Sequence, residues 1–207
     1  MLGCCQVGWY TRRMGRIVCK NCERPRSTCL CPFLRTLPCP LELVILQDPS
    51  EARHAMSTGP LLARSIEGAR LLVGEVFDPV ALFGEQWQAQ SVLVYPAETP
   101  TPGGDARLEV KRVILLDGTW RKVRRLRYCN PWLDQLAKLS LRPQERSAYR
   151  IRKSPRADGL STIEAGALAL NQLVSGTDYR DILEVFTAMV EMQINAMGPA
   201  AAKNHPP

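Results

Sequence analysis

No run of about 18 apolar residues occurs in this 207-residue chain, so no membrane-spanning helix is expected. Met1 to Tyr10 lacks the basic start and apolar core of a secretory leader, which makes the cytoplasm the expected compartment. No internal repeat is visible. Negative charge is scarce in one region above all. Between Lys111 and Arg156 fourteen lysines and arginines face only Asp117, Asp134 and Glu145, in a chain of net charge +7. Clustering of this kind is the electrostatic footprint of a protein that tracks phosphates; the plainer alternative is a solvated basic surface with no partner.

What is present is ordinary for a globular protein, with 45% apolar and 23% charged residues. The length allows one substantial domain and a small appendage. Cys19, Cys22, Cys29 and Cys31 form a C-x2-C-x6-C-x-C cluster. Without an export signal, four thiols so close favour a tetrahedral Cys4 zinc site over disulfides, although the C-x-C half is tighter than in a usual zinc ribbon. Such a site has a closed ligand shell and a structural role; free thiols or a redox pair are the alternatives. Cys4, Cys5, Cys39 and Cys129 have no ligand spacing and read as buried or incidental.

Leu41–Leu46 reads as a strand. Ser50 is placed to cap a helix running through Glu51, His54, Leu61, Leu62 and Ile66, broken or kinked at Gly59-Pro60. On that helix Glu51 and His54 share a face, which makes them a possible functional pair; a lone histidine is more often structural or simply exposed. Ala69–Gly74 is a short strand or a helix end. Gln90–Tyr95 is a strand, Thr99–Ala106 a Pro- and Gly-rich loop, and Leu139–Leu141 a short strand. Ser161 or Thr162 caps a helix to Leu173, with Glu164 complementing the dipole of its first turn. A second helix from Tyr179 to about Met197 carries packing residues and no cofactor box. Strands alternating with helices predict an α/β fold with a mainly parallel sheet flanked by helices.

The rest is organised around Val113-Ile114-Leu115-Leu116-Asp117-Gly118-Thr119-Trp120. Four aliphatics form a buried strand, and the strand delivers a carboxyl group, a glycine, a hydroxyl and an indole to its C-terminal edge. In open α/β sheets ligands bind at that edge. A basic helix to about Tyr128 follows directly.

These motifs resemble the DTW-domain family, the tRNA-uridine aminocarboxypropyltransferases. The resemblance covers roughly residues 17–175. It rests on the cysteine cluster, Pro49-x-Glu51-x-x-His54 leading to Thr58, Tyr95-Pro96, and Asp117-Gly118-Thr119-Trp120. The last blocks are Tyr149-x-x-Arg152-Lys153 and Leu160-Ser161-Thr162-x-Glu164-Ala165. Family members carry His-Pro after the first strand where this chain has Asp48-Pro49, so His54 or Asp48 must take over any role of that histidine, or the role is dispensable. The resemblance implies a SPOUT-like fold whose C-terminal half can be knotted. It also implies S-adenosylmethionine as co-substrate and transfer of its 3-amino-3-carboxypropyl group to N3 of a tRNA uridine, with release of methylthioadenosine.

On that basis Asp117 is the candidate base or hydrogen-bond partner of N3–H, with a helix cap as the bland alternative. Thr119 is a candidate cofactor contact or cap. Trp120 either stacks on a base, shields the sulfonium, or simply fills core. Tyr95, Pro96, Gly118, Ser161, Thr162 and Glu164 are expected to bind S-adenosylmethionine. Arg121, Lys122, Arg124, Arg125, Arg150, Arg152 and Lys153 are expected to bind tRNA phosphates. The expected division is a flexible leader (1–16), a Cys4 zinc knuckle (17–40), a DTW/SPOUT-like catalytic domain (41–197) and a disordered tail (198–207). No membrane partner is expected; the oligomeric state is open, with a monomer as the working expectation. Two rivals stay open: a SPOUT-type RNA methyltransferase, and a non-catalytic zinc-containing RNA-binding module.

Overall fold

The computed structural model describes residues 17–96, 109–141 and 159–197. The expected leader with Cys4 and Cys5, the Thr99–Ala106 loop, the basic stretch containing Arg150, Arg152 and Lys153, and the expected tail lie outside the described residues.

Five strands form one parallel sheet: β1 (Glu42–Gln47), β2 (Arg70–Val73), β3 (Ser91–Val94), β4 (Arg112–Asp117) and β5 (Ala137–Leu139), in the order β2-β1-β4-β3-β5. β4 is central, and parallel strands at the centre of a sheet must be apolar on both faces. The alternation along β1 and β4 sorts their residues accordingly. Leu43, Ile45, Val113 and Leu115 face the larger core, where they meet residues of helices α1 (Gly59–Ser65), α4 (Thr162–Leu173) and α5 (Leu183–Met197). Val44, Leu46 and Ile114 face a smaller core built with Trp132, Leu133 and Leu136. Phe77, Phe83 and Trp87 border this second core, and helix α2 (Pro79–Phe83), capped by Asp78, supplies one of them. Helix α3 (Trp120–Cys129) leaves the end of β4.

The cysteine segment shares the main core. Leu30 is fully buried in it, and Phe33, Leu34 and Leu37 pack against it. The Tyr179 hydroxyl donates to the Pro38 carbonyl at 3.0 Å and fastens the C-terminal helices to the linker behind the cysteines.

Two helices differ from the sequence expectation. Ser50 caps no helix; its N–H and hydroxyl both donate to Asp48 Oδ1, at 2.9 and 2.6 Å. The chain then runs as successive turns, with Glu51 N–H bonded to Asp48 O, His54 to Glu51 O and Ser57 to His54 O. α1 starts only at Gly59, with Pro60 in its first turn, where a missing N–H costs nothing. A local side-chain bond at Asp48 wins the backbone over to a turn before a helix can start. In consequence Glu51 is 1% exposed while His54 is exposed, and no helix sets the two on one face. The last helix likewise opens as a 3-10 turn, Tyr179–Ile182, held by Asp178, before α5 begins at Leu183.

At the N-terminal edge of the sheet Glu42 accepts from Arg70 Nη1 at 2.7 Å and from Arg112 Nε at 2.5 Å, and Arg112 also donates to Ser91 Oγ. Partial burial alone would raise the Glu42 pKa, but the hydrogen bonds and charges of the two arginines outweigh it and hold the carboxyl below its usual range. A lowered folded-state pKa contributes stability that is full above the unfolded-chain value, about 4.3, and is lost as pH falls through the folded value. Glu42→Gln strands the buried Arg112 charge, so it should cost about 3 kcal/mol at pH 7. Urea titrations over a series of pH values should show the full deficit at pH 7 and a deficit that shrinks as pH falls below the unfolded-chain value.

Candidate functional site

The register of β1 against β4 places Gln47 beside Asp117 at the C-terminal edge of the sheet. Asp117 is 3% exposed. Its Oδ2 accepts from Gln47 Nε2 at 2.6 Å and from Ser57 Oγ at 3.1 Å, and its Oδ1 accepts from Thr162 Oγ1 at 2.5 Å. Four separate segments therefore converge on one carboxyl group: β1, the turns after it, β4 and the start of α4. Gly59 closes the cage, because a Cβ there would lie 2.5 Å from Asp117 Oδ2. Thr58 adds a second tie, its hydroxyl accepting from the Thr162 N–H at 3.1 Å. The N-cap of α3 is Thr119, whose side chain accepts from Lys122 N–H, so Asp117 is no cap. Gly118 has φ 153°, and a Cβ on it would press on Lys122 Cβ at 3.0 Å, so the turn needs glycine for both reasons.

Beside this edge lies a pocket of about 270 Å³, close to the lower end of the range for small-molecule sites. Tyr95, Pro96, Gly118, Trp120 and Thr162 line it, together with aliphatic residues of β4 and α3 and the Leu139-Ser140-Leu141 segment. Five expected site residues thus meet at one cavity. Asp117, Thr119, Ser161 and Glu164 do not line it. Ser161 and Glu164 form a capping box on α4: Glu164 accepts from the Ser161 N–H and hydroxyl, and Ser161 Oγ accepts from Glu164 N–H. Their work is to fix the helix start that presents Thr162. Trp120 packs edge-to-face on Tyr95 with ring centroids 6.2 Å apart, and the Arg127 guanidinium lies 4.2 Å over the Tyr95 ring. Sequence reasoning missed Gln47, Ser57 and Ser140, whose polar groups gain meaning only from partners distant in the chain.

The basic helix α3 divides by face. Val123 and Leu126 are buried. Lys122 Nζ bonds Glu51 Oε2 at 2.6 Å, and Arg125 pairs with Glu75 and lies 3.8 Å from Asp48 Oδ2. Both cations are therefore engaged within the protein, unlike Arg121 and Arg124, which are exposed and have no ion-pair partner among the described residues. Burial would raise the Asp48 pKa, but the Ser50 hydrogen bonds and the Lys122 and Arg125 charges outweigh it and hold Asp48 below the usual carboxylate range. Asp48 so organises the first turn after β1, whereas the His54 ring accepts a local bond from Met56 N–H.

The four thiols of the cluster converge. Their Sγ atoms all lie within 4.8 Å of one another, with Cys19–Cys31 at 3.6 Å and Cys22–Cys29 at 3.7 Å. A tetrahedral ion with sulfur bonds of about 2.3 Å has edges of about 3.8 Å, so the set can hold a metal ion. The thiols are also electrostatically linked. N–H groups of Cys22 and Asn21 pull Cys19 down to about 6. Cys29 receives a lowering backbone bond at Cys31, yet its sulfur neighbours and burial push it up to about 12. A cation among the sulfurs would relieve that conflict by binding all four as thiolates.

No helix among the described residues is long and apolar enough to cross a membrane. The model of the DTW domain matches residues 16–194. The mouse protein named tRNA-uridine aminocarboxypropyltransferase 2 is 32% identical over 166 residues, covering 75% of this chain and 56% of its own. A fruit-fly protein of the same name is 30% identical over 175 residues, covering 80% of this chain and 70% of its own. The chain spans about half the length of the mouse relative and of a macaque one. No solved structure matches. The pocket, the Asp117 cage and the cysteine cluster all fall inside the matched region, and the chain belongs to the DTW-domain family.

Proposed function

We propose that this protein transfers the 3-amino-3-carboxypropyl group of S-adenosylmethionine to N3 of a tRNA uridine and releases methylthioadenosine. The observation that carries the reading is the meeting of Tyr95, Gly118, Trp120 and Thr162 at one pocket on the C-terminal edge of a parallel sheet, in a family whose relatives bear that activity in their names. In the reaction N3–H loses its proton, N3 bonds to the aminocarboxypropyl carbon, and the carbon–sulfur bond breaks with its electron pair returning to sulfur. The sulfonium is already a good leaving group, so the protein has to position the reactants and take a proton.

Asp117 is too enclosed to touch the base directly. It acts through Thr162, which lines the pocket and whose hydroxyl donates to Asp117 Oδ1. A proton leaving N3 passes to the Thr162 oxygen while the Thr162 proton moves to Asp117. Gln47 and Ser57 hold the other carboxyl oxygen in place. Trp120, oriented by Tyr95, provides an indole face for the sulfonium, an attraction of about 0.5–2 kcal/mol. Arg121 and Arg124 meet tRNA phosphates; Arg150, Arg152 and Lys153 are assigned there on their charge. Lys122 and Arg125 serve instead to hold the turns after β1. The cysteine cluster holds a structural zinc ion, since four sulfur ligands leave no open position. The all-parallel sheet, in the order β2-β1-β4-β3-β5, supports a SPOUT-like assignment.

The product of S-adenosylmethionine in the presence of unmodified tRNA tests the reaction class. Methylthioadenosine is expected; adenosylhomocysteine would mean methyl transfer.

A further inference from the structure

The outer face of α3 carries an aromatic residue that the packing does not use. At 100° per residue, Arg124, Tyr128, Arg121 and Arg125 fall within one arc of about 100° on the helix. Tyr128 is 86% exposed and stands in the middle of that arc, about one turn beyond Arg124 and two turns beyond Arg121, which have no ion-pair partner among the described residues. The flank next to this face carries Trp120 and Arg127, which both touch Tyr95 at the pocket. Tyr128 lies eight residues beyond Trp120, about 12 Å along the helix axis.

From this arrangement we infer that Tyr128 is a base-stacking contact for an unpaired nucleotide that neighbours the one in the pocket. The inference rests on the proposed tRNA reaction. Two guanidinium groups beside an exposed ring match the chemistry of single-stranded RNA, in which each base has a face to stack and each step a phosphate to neutralise. A fully paired duplex offers the phosphates but no free base face. The ring therefore selects a loop over a stem, and the arginines do not.

The test measures binding of an unmodified tRNA transcript and of a fully paired RNA duplex to the full chain. Tyr128→Ala should weaken tRNA binding by roughly ten-fold or more while leaving duplex binding and the salt dependence as they were. Tyr128→Phe and Tyr128→Trp should bind tRNA like the parent, because the ring and not the hydroxyl is used. Arg121→Ala or Arg124→Ala should weaken both RNAs and lower the salt slope by about 1. An unchanged tRNA affinity for Tyr128→Ala, or an equal loss on tRNA and duplex, would overturn the stacking role. If the parent protein still releases methylthioadenosine with tRNA, only the Tyr128 inference has failed; if it neither binds tRNA nor releases that product, the proposed function has failed with it.

Discussion

Asp117→Asn is expected to lower aminocarboxypropyl transfer by roughly 10²–10⁴-fold, the range for losing a positioned acid or base, while tRNA affinity stays within about two-fold. The affected group is buried and accepts from Gln47, Ser57 and Thr162, so the amide also puts a donor among donors. A stability loss of about 1–3 kcal/mol should accompany the change and is measured separately by denaturant titration. If Asp117 works through Thr162, the two residues act as one unit. Thr162→Val should then cost a similar factor, and the double variant should be little slower than either single one. Multiplying effects would mean independent roles. Near-parental turnover by Asp117→Asn would reduce the cage to a structural device.

The second large effect concerns the cysteine cluster. Cys22→Ser should reduce bound zinc from one ion per chain to none by elemental analysis. It should also lower stability by about 3 kcal/mol or more, which for a chain of this size is a Tm shift of roughly 6–12 °C. The damage should spread to the site through two ties. Arg24 Nη1 donates to the Ala55 carbonyl at 2.7 Å, and Arg64 Nε donates to the Asn21 carbonyl at 3.2 Å. The first holds the turns that deliver Ser57 to Asp117, so amide exchange over residues 50–57 should quicken when the metal is lost. A variant that keeps its Tm without metal would show that the cluster is held by its apolar neighbours, Leu30 foremost.

The parts of this architecture that rest on local pattern are legible in the chain. Four aliphatic residues before Asp117 announce β4, and α4 begins where Ser161 and Glu164 stand three apart. What the chain does not announce is long-range. The ion pairs of Lys122 and Arg125 are hidden because their acidic partners are far off in sequence, Glu51 by 71 residues in the first case. Gln47 and Ser57 look unremarkable until the β1–β4 register brings both to the same carboxyl oxygen. Ser50 reads as a helix cap because the pattern fits one, and only the Asp48 side chain, bonding it first, decides for a turn. Asp117 shows both sides: its place at the strand end is legible, whereas its enclosure behind Thr162 is a product of packing.

Nucleoside mass spectrometry of unmodified tRNA incubated with the protein and S-adenosylmethionine tests the central claim most directly. The account predicts a uridine heavier by one aminocarboxypropyl group, and roughly 10²-fold less of it, or lower still, from Asp117→Asn at matched times. A methylated nucleoside, or unaltered tRNA from folded, metal-loaded protein across several tRNAs, would contradict it.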